Sequence, residues 1–212
     1  MVSNYRKNKF ITPRAEEVHQ LILKLVRKIN RRIAAGRMSR PEMVVAIGRG
    51  GWSWAKEVAD WINVLEIGTL QMVHYKGIGQ RLKKPIVLQT LPVEIMGKNI
   101  LALDDVVETG KTMAGAKEFL ELMGAKRVTT ATLYLKPMSK FKPDFFGKRT
   151  DAWIIFYGDI MESVKLLAAE WMGKGMNLGL VYKKLLEIGL IDEEVREAMR
   201  LLFNWETDKI GA

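Results

Sequence analysis

One stretch near the middle of the chain constrains the fold most: residues 99–112, which read NILALDDVVETGKT. Its apolar residues 100–103 predict a buried strand. Asp104 and Asp105 stand at the carboxyl end of that strand, and a glycine–threonine turn then opens a helix beginning near Met113. In open α/β sheets, ligands bind where loops leave the carboxyl ends of strands. The stretch therefore predicts an α/β fold with a ligand site at this strand end.

Two kinds of binding group meet in this stretch. The backbone N–H groups of the turn and the helix N-terminus behind it suit a phosphate, because both present positive dipole ends. The two aspartates suit sugar hydroxyls or a hydrated Mg²⁺ ion, because hard cations prefer oxygen ligands. A phosphorylated sugar is a ligand that requires both kinds of group.

Composition narrows the class of protein. The chain of 212 residues has no cysteine and two histidines, which excludes disulfides and thiolate metal sites and argues against a multi-histidine centre. No signal-peptide pattern or bilayer-spanning apolar run is present, so we expect a cytoplasmic protein without membrane contact. The net charge of +10 favours polyanionic partners, either nucleic acid or a multiply phosphorylated small molecule. The charged surface of a thermophilic protein would give the same excess of positive charge, so net charge alone does not identify the partner.

A second strand–loop–helix unit precedes the first. Residues 43–47 predict a buried strand, Gly48-Arg49-Gly50-Gly51 a loop, and residues 52–62 a helix. Glycines let backbone amides approach an anion closely, and Arg49 adds a forked positive charge. A tight structural turn would explain the glycines equally well.

A polar and basic segment follows at residues 76–85. Its composition, which includes Lys76 and Arg81, predicts a mobile loop that closes over an anion, and an ordinary connection is the alternative. The tryptophans of the preceding helix are interpreted as packing residues: Trp52, Trp54 and Trp61.

The remaining pattern completes an α/β core. A first helix is predicted with Thr12 as N-cap, Pro13 in its first position and Gly36 at its end. Further strands are predicted at residues 65–75, 86–91, 127–135 and 152–157, with a loop at 136–150. The sheet would then hold about five strands, mainly parallel.

A basic cluster lies on the first helix and directly after it. We interpret it as a solvated helix face in preference to a nucleic-acid patch. Its members are Arg27, Lys28, Arg31, Arg32, Arg37 and Arg40.

From residue 159 onward the pattern is helical throughout. Apolar stripes predict three helices, with Asn177 capping the second and Asp192 the third, and Gly189 following the second. We therefore expect an α/β core at residues 1–157, which includes the N-terminal helix, and a C-terminal helical bundle at residues 158–212.

Two nucleotide-binding motifs that resemble these glycine-containing stretches are absent from the sequence. A P-loop ending in Gly110-Lys111-Thr112 would require glycine where Asp105 stands. A dinucleotide fingerprint beginning at Gly48 would require its third glycine at Ser53.

Four elements, in order over residues 40–160, resemble those of type I phosphoribosyltransferases. Residues 104–112 look like the binding signature for phosphoribosyl diphosphate (PRPP), and residues 48–51 resemble the family's Ser-Arg-Gly-Gly diphosphate loop, with Gly48 in place of serine. Leu135-Lys136-Pro137 and residues 153–159 resemble the purine-site elements of 6-oxopurine members, where the second commonly reads Trp-Ile-x-x-Pro-Trp-Asp/Glu.

The resemblance implies an enzyme of purine salvage, a pentosyltransferase acting on PRPP with Mg²⁺, and the family suggests a homodimer. Tyr157-Gly158 replaces the Pro-Trp pair, and the chain looks similar to archaeal adenine enzymes built on the 6-oxopurine plan with a helical extension. We therefore expect adenine plus PRPP to give AMP and diphosphate. A hypoxanthine, guanine or xanthine enzyme is the alternative. A PRPP-sensing regulator that binds nucleic acid is a second one, disfavoured because no helix-turn-helix precedes residue 40.

The resemblance also implies roles for individual residues. The 5′-phosphate is assigned to the turn residues Glu108, Thr109, Gly110, Lys111 and Thr112; the ribose hydroxyls and the water around Mg²⁺ to Asp104 and Asp105; the diphosphate to Arg49, Gly50, Lys76 and Arg81; the base to Lys136, Trp153 and Ile154. Glu108 is the candidate for taking the proton from the purine, and a carboxylate that only caps the phosphate turn is the alternative.

Overall fold

The computed structural model describes residues 10–75, 81–89 and 94–205, which form eight strands and six helices. The strands are β1 (Phe10–Ile11), β2 (Met43–Gly48), β3 (Glu66–Tyr75), β4 (Arg81–Gln89), β5 (Asn99–Val107), β6 (Arg127–Leu135), β7 (Phe145–Arg149) and β8 (Trp153–Ile154). The helices are α1 (Ala15–Ala34), α2 (Trp52–Trp61), α3 (Lys111–Leu122), α4 (Ile160–Met172), α5 (Leu178–Glu187) and α6 (Asp192–Phe203).

The chain divides into two compact units. One comprises residues 19–150, and the described part of the other comprises residues 10–18 with 151–205. The boundary expected between residues 157 and 158 stays a prediction about domain organisation.

A six-stranded sheet forms the centre of the 19–150 unit. Its strand order is β4-β3-β2-β5-β6-β7, and only β4 runs antiparallel to its neighbour. The central strands β2 and β5 are almost continuously apolar because both faces of a mainly parallel sheet are covered. The predicted α/β class with a mainly parallel sheet is confirmed.

The chain leaves the two central strands in opposite directions. After β2 it passes through α2 to β3 on one side, and after β5 it passes through α3 to β6 on the other. Such a reversal of strand order is the point at which open α/β sheets bind ligands. The two glycine-containing loops of the sequence therefore meet at one crevice.

Three boundaries in this unit differ from the prediction. β5 extends to Val107 because β6 continues to pair with it, so the two aspartates lie inside the strand. The predicted loop 136–150 contains β7, which pairs with β6 as a sixth strand. Part of the predicted mobile loop, from Arg81 onward, belongs to β4.

Residues of the basic cluster on α1 and just after it have structural contacts as well as solvent exposure. Lys28 Nζ donates to the carbonyl oxygen of Phe146 at 2.8 Å, Arg32 lies over the ring of Phe145, and Arg40 donates to the carbonyl oxygen of Ile62. These contacts explain part of the cluster by packing on β7 and on the end of α2.

The other unit contains the C-terminal helices and a two-stranded sheet. β1 pairs in parallel with β8, and α4, α5 and α6 share one apolar core. Asn177 Oδ1 accepts a hydrogen bond from the N–H of Leu180, which confirms the predicted cap of α5, and Gly189 follows the helix with φ of +98°. Among the described helices, none is long and apolar enough to span a membrane.

The predicted start of α1 is wrong by two residues and that of α6 by one. α1 begins at Ala15, two residues after the predicted first position Pro13. The backbone N–H of Arg14 donates to Glu17 Oε2 at 2.8 Å, which is one of the two hydrogen bonds of a capping box. Asp192 is the first residue of α6, and Ile191 is its cap.

Candidate active site

The last residues of β5 place two acidic side chains at the crevice. Asp104 is 8% exposed, and its Oδ1 accepts a hydrogen bond from the N–H of Asp105 at 3.0 Å. Asp105 Oδ1 accepts from the N–H of Val106 at 2.6 Å. Thr132 on β6 donates from its hydroxyl to the carbonyl oxygen of Asp105 at 3.0 Å. The backbone and the neighbouring strand thus fix the orientation of both carboxylates.

Burial changes the protonation of this acidic pair. Loss of water, followed by repulsion from Asp105, raises the pKa of Asp104 well above its ordinary value of 3.8. Burial also raises the pKa of Asp105. Because burial makes the ionised form of both carboxyl groups costly, a ligand that brings positive charge or hydroxyl donors would stabilise them.

The turn after β5 is built for a close backbone approach. Gly110 caps α3 with φ of +86°, a conformation that favours glycine, and a Cβ there would lie 2.3 Å from Cβ of Phe141. The carbonyl oxygen of Thr109 accepts from the N–H of Lys140 at 3.2 Å. α3 begins at Lys111, two residues before the predicted start, so the first-turn N–H groups, which have no acceptor within the helix, lie beside the turn.

The loop after β2 contacts the acidic strand. A Cβ on Gly50 would lie 2.2 Å from Cγ of Asp105, and one on Gly51 would lie 2.4 Å from the carbonyl oxygen of Leu103. Arg49 is exposed, and the Gly48–Arg49 peptide is cis. The two predicted anion loops are therefore in contact, with the Gly50 backbone against the Asp105 carboxylate.

A third loop brings a buried lysine to the same turn. Lys136 is 3% exposed, and its backbone N–H donates to the carbonyl oxygen of Val107 at 2.9 Å. Glu108, which directly follows Val107, is exposed. The ends of β5 and β6 thus hold a lysine and a glutamate beside the acidic pair.

Comparison with known proteins decides the family. The family model described as the phosphoribosyl transferase domain matches residues 14–161, which is more than half of the chain.

The chain belongs to the phosphoribosyltransferase family.

Individual relatives agree with this family. A xanthine-guanine phosphoribosyltransferase from Ruegeria sp. is 33% identical over 124 residues, covering 55% of this chain and 68% of that protein. A hypoxanthine-guanine phosphoribosyltransferase from Streptococcus pyogenes is 19% identical over 175 residues, covering 82% and 90%. The crystal structure of a purine phosphoribosyltransferase from Pyrococcus horikoshii is similar with a TM-score of 0.60, 25% identity and coverage of 70% and 92%.

Some residues assigned from the family resemblance remain predictions. Trp153 and Ile154 pair with Phe10 and Ile11 and are half-buried within the unit that holds the C-terminal helices, so their role in base binding is untested. Lys76 lies outside the described residues. The structure describes the backbone of Arg81, in β4, but not its side chain.

The acidic pair fits a magnesium ion that arrives with a phosphoribosyltransferase substrate. Within residues 10–75, 81–89 and 94–205, no group of three or more acidic, histidine or cysteine side chains forms a metal cage. Mg²⁺ ordinarily keeps several waters and binds one or two carboxylates together with substrate phosphates. Asp104 and Asp105 supply that number of carboxylates.

Sequence reasoning missed the residues that support the loops. Ser139 and Phe141 pack against Gly110, and Thr132 holds the carbonyl group of Asp105. The threonine-rich sequence of β6 gave a weak signal for Thr132, because a strand buried on both faces is ordinarily an almost continuous apolar run. Ser139 and Phe141 left no signal, since they belong to an irregular loop.

Proposed function

We propose that this phosphoribosyltransferase joins a 6-oxopurine (hypoxanthine, guanine or xanthine) to the ribose of PRPP and releases diphosphate. The observation that carries the proposal is the contact of the Gly50 loop with Asp105 at the reversal of strand order. Two of the relatives named above are a xanthine-guanine and a hypoxanthine-guanine phosphoribosyltransferase, so they favour this alternative over the adenine expected from the sequence.

The 5′-phosphate would bind in the turn after β5. The amides of residues 108–112 and the hydroxyls of Thr109 and Thr112 supply donors, and the N-terminus of α3 adds a positive dipole end. Gly110 allows the turn to adopt its positive φ and to pack closely against Phe141, which holds the turn in place.

The diphosphate would bind on the opposite side of the crevice. Arg49 offers a forked guanidinium, and the N–H of Gly50 lies on the same loop. Asp104 and Asp105 would hold, through water, a Mg²⁺ ion carried by the diphosphate, and such an ion would supply positive charge for the leaving group. The contact between Gly50 and Asp105 supports a diphosphate position close to the acidic pair.

The bond changes follow from this arrangement. The bond between C1′ of the ribose and the diphosphate oxygen breaks, a bond from C1′ to a purine nitrogen forms, and the purine loses one proton. Positive charge develops on the ribose as diphosphate departs, and Asp104 and Asp105 stabilise that charge. Glu108 is the candidate base for the proton because it is exposed at the rim of the turn.

Lys136 would distinguish the bases. An ammonium group has donors only, so it can satisfy the O6 acceptor of a 6-oxopurine. Adenine presents an amino donor at that position, and two donors facing each other leave both unsatisfied. The burial of Lys136 makes such a mismatch more costly.

A panel of adenine, hypoxanthine, guanine, xanthine, uracil and orotate with PRPP and Mg²⁺ tests the proposal. We expect nucleotide formation with one or more of the 6-oxopurines. Exclusive use of adenine would overturn the 6-oxopurine assignment and support the reading suggested by Tyr157-Gly158. Formation of no nucleotide from any base would overturn the enzyme assignment.

A further inference from the structure

The tryptophan that opens α2 lies against the diphosphate loop. A Cβ built on Gly48 would lie 2.5 Å from Cε2 and Cζ2 of Trp52 and 2.6 Å from its Nε1. Real side chains do not approach so closely, so the indole edge that carries the N–H group occupies the space of a side chain at position 48. Glycine at position 48 and tryptophan at position 52 therefore fit each other.

Packing alone does not account for Trp52. Its side chain is 38% exposed, whereas Trp54, two residues later on α2, is 5% exposed and belongs to the core. Among the residues that the structure describes, none accepts a hydrogen bond from Trp52 Nε1. The indole N–H is a donor only, so an anion is a suitable partner for it.

The surroundings of Trp52 favour an anion as well. The first turn of α2 contains no acidic residue, and its N-cap Gly51 makes no side-chain capping bond. The helix itself therefore supplies no carboxylate at its N-terminus, and the acidic group beside the loop is that of Asp105, against the Gly50 backbone. Arg49 lies on the same loop and is exposed.

We propose that Trp52 binds the diphosphate group of the substrate through its indole N–H, as an additional binding residue of the loop 48–51. The inference rests on the proposed function, because that function assigns the diphosphate to this loop. Gly48 has the matching role of leaving room for the indole edge.

Binding of diphosphate alone tests the inference without any turnover. In the chain labelled with ¹⁵N-tryptophan, the indole signal that disappears in Trp52→Phe is that of Trp52. We expect this signal to move downfield as diphosphate with Mg²⁺ is added, because the N–H acquires a charged acceptor. A signal that does not move at saturating diphosphate overturns the inference.

Calorimetry supplies the matched comparison. Trp52→Phe keeps an aromatic ring and removes the donor, so we expect about tenfold weaker binding of diphosphate and unchanged binding of ribose 5-phosphate. Trp61→Phe, at the other end of α2 and 50% exposed, should change neither. Diphosphate binding within about twofold of the parent in Trp52→Phe would contradict the proposal.

A pair of variants tests the fit between the two residues. Gly48→Ser should weaken diphosphate binding, because its Cβ displaces the indole edge. The same substitution combined with Trp52→Ala should bind diphosphate more tightly than Trp52→Ala alone, since a hydroxyl then supplies a donor in the vacated space. A double variant that binds no more tightly would contradict the proposed fit.

The failure of this inference is distinguishable from failure of the proposed function. A shifted Trp52 signal in a chain that converts no base would support diphosphate binding and overturn the enzyme assignment. A chain that converts a purine while Trp52→Phe leaves diphosphate binding unchanged would overturn only the role of Trp52.

Discussion

At the scale of single residues, Gly110 has the strictest requirement in the candidate site. Its φ of +86° strains any other residue, and a Cβ would collide with Phe141. We expect Gly110→Ala to lower the free energy of unfolding by about 2 kcal/mol and to weaken binding of PRPP.

A second glycine allows the cost of backbone strain to be measured apart from the cost of the steric clash with Phe141. Gly97 has φ of +73° with nothing within 4 Å of a Cβ built on it, so Gly97→Ala carries the strain alone. Denaturant unfolding of both variants checks the prediction. Equal losses of stability would contradict the role given to Phe141.

Glu108 is tested by a change that keeps its shape. If its carboxylate takes the purine proton, Glu108→Gln should lower kcat by about a hundredfold and change the affinity for the nucleotide product little. Glu118→Gln, an exposed glutamate on α3, is the control. Unchanged kcat in Glu108→Gln would leave Glu108 as a residue of the phosphate turn only.

Lys136 is tested through the choice of base. We expect Lys136→Met to raise the KM for hypoxanthine and guanine by about tenfold, because their O6 loses its donor. Lys140→Met, on the exposed part of the same loop, should leave both KM values unchanged. If Lys136→Met instead lowered activity with adenine alone, adenine would be assigned as the substrate base.

At the scale of elements, a hydrogen-bond network in the helical unit predicts that the stability of the chain depends on pH. Asp192 at the start of α6 accepts hydrogen bonds from the hydroxyl of Tyr182 and, at 2.8 Å, from Nε of Arg196. These bonds, that from Tyr182 first, lower the pKa of Asp192 below its ordinary value of 3.8. A lowered pKa in the folded state contributes stability that is present above the ordinary pKa and is lost as the pH falls through the folded one.

Asp192→Asn should therefore destabilise the chain more at pH 7 than near pH 3. Thermal unfolding midpoints at both pH values check this. Glu193→Gln is the control, because Glu193 lies in the same first turn of α6. Its removal reports the general effect of the helix dipole, so any larger effect of Asp192→Asn belongs to the hydrogen bonds of Asp192. A difference that grows towards low pH would contradict the assignment.

The same scale shows what the sequence reveals about the fold. The apolar runs of β2 and β5 and the cap of Asn177 were readable because each depends on residues next to one another in sequence. β7 was missed because its five residues contain one glycine and two cations, and its place is fixed by pairing with β6. The length of β5 likewise depends on its neighbour.

At the scale of the whole molecule, the strand order creates the site. Asp105 and Gly50 are far apart in sequence, and they meet because β2 and β5 are neighbours from which the chain departs in opposite directions. Local patterns predicted both loops and their chemistry. The contact between them, the burial of Lys136 and the packing of Trp52 on Gly48 required the fold.

The choice of purine is the central claim, and a competition reaction tests it most directly. Equal concentrations of hypoxanthine and adenine are mixed with limiting PRPP and Mg²⁺, and the ratio of the two nucleotide products reports the ratio of the kcat/KM values. We predict that the inosine nucleotide exceeds AMP by at least about tenfold. AMP as the main product would contradict the account.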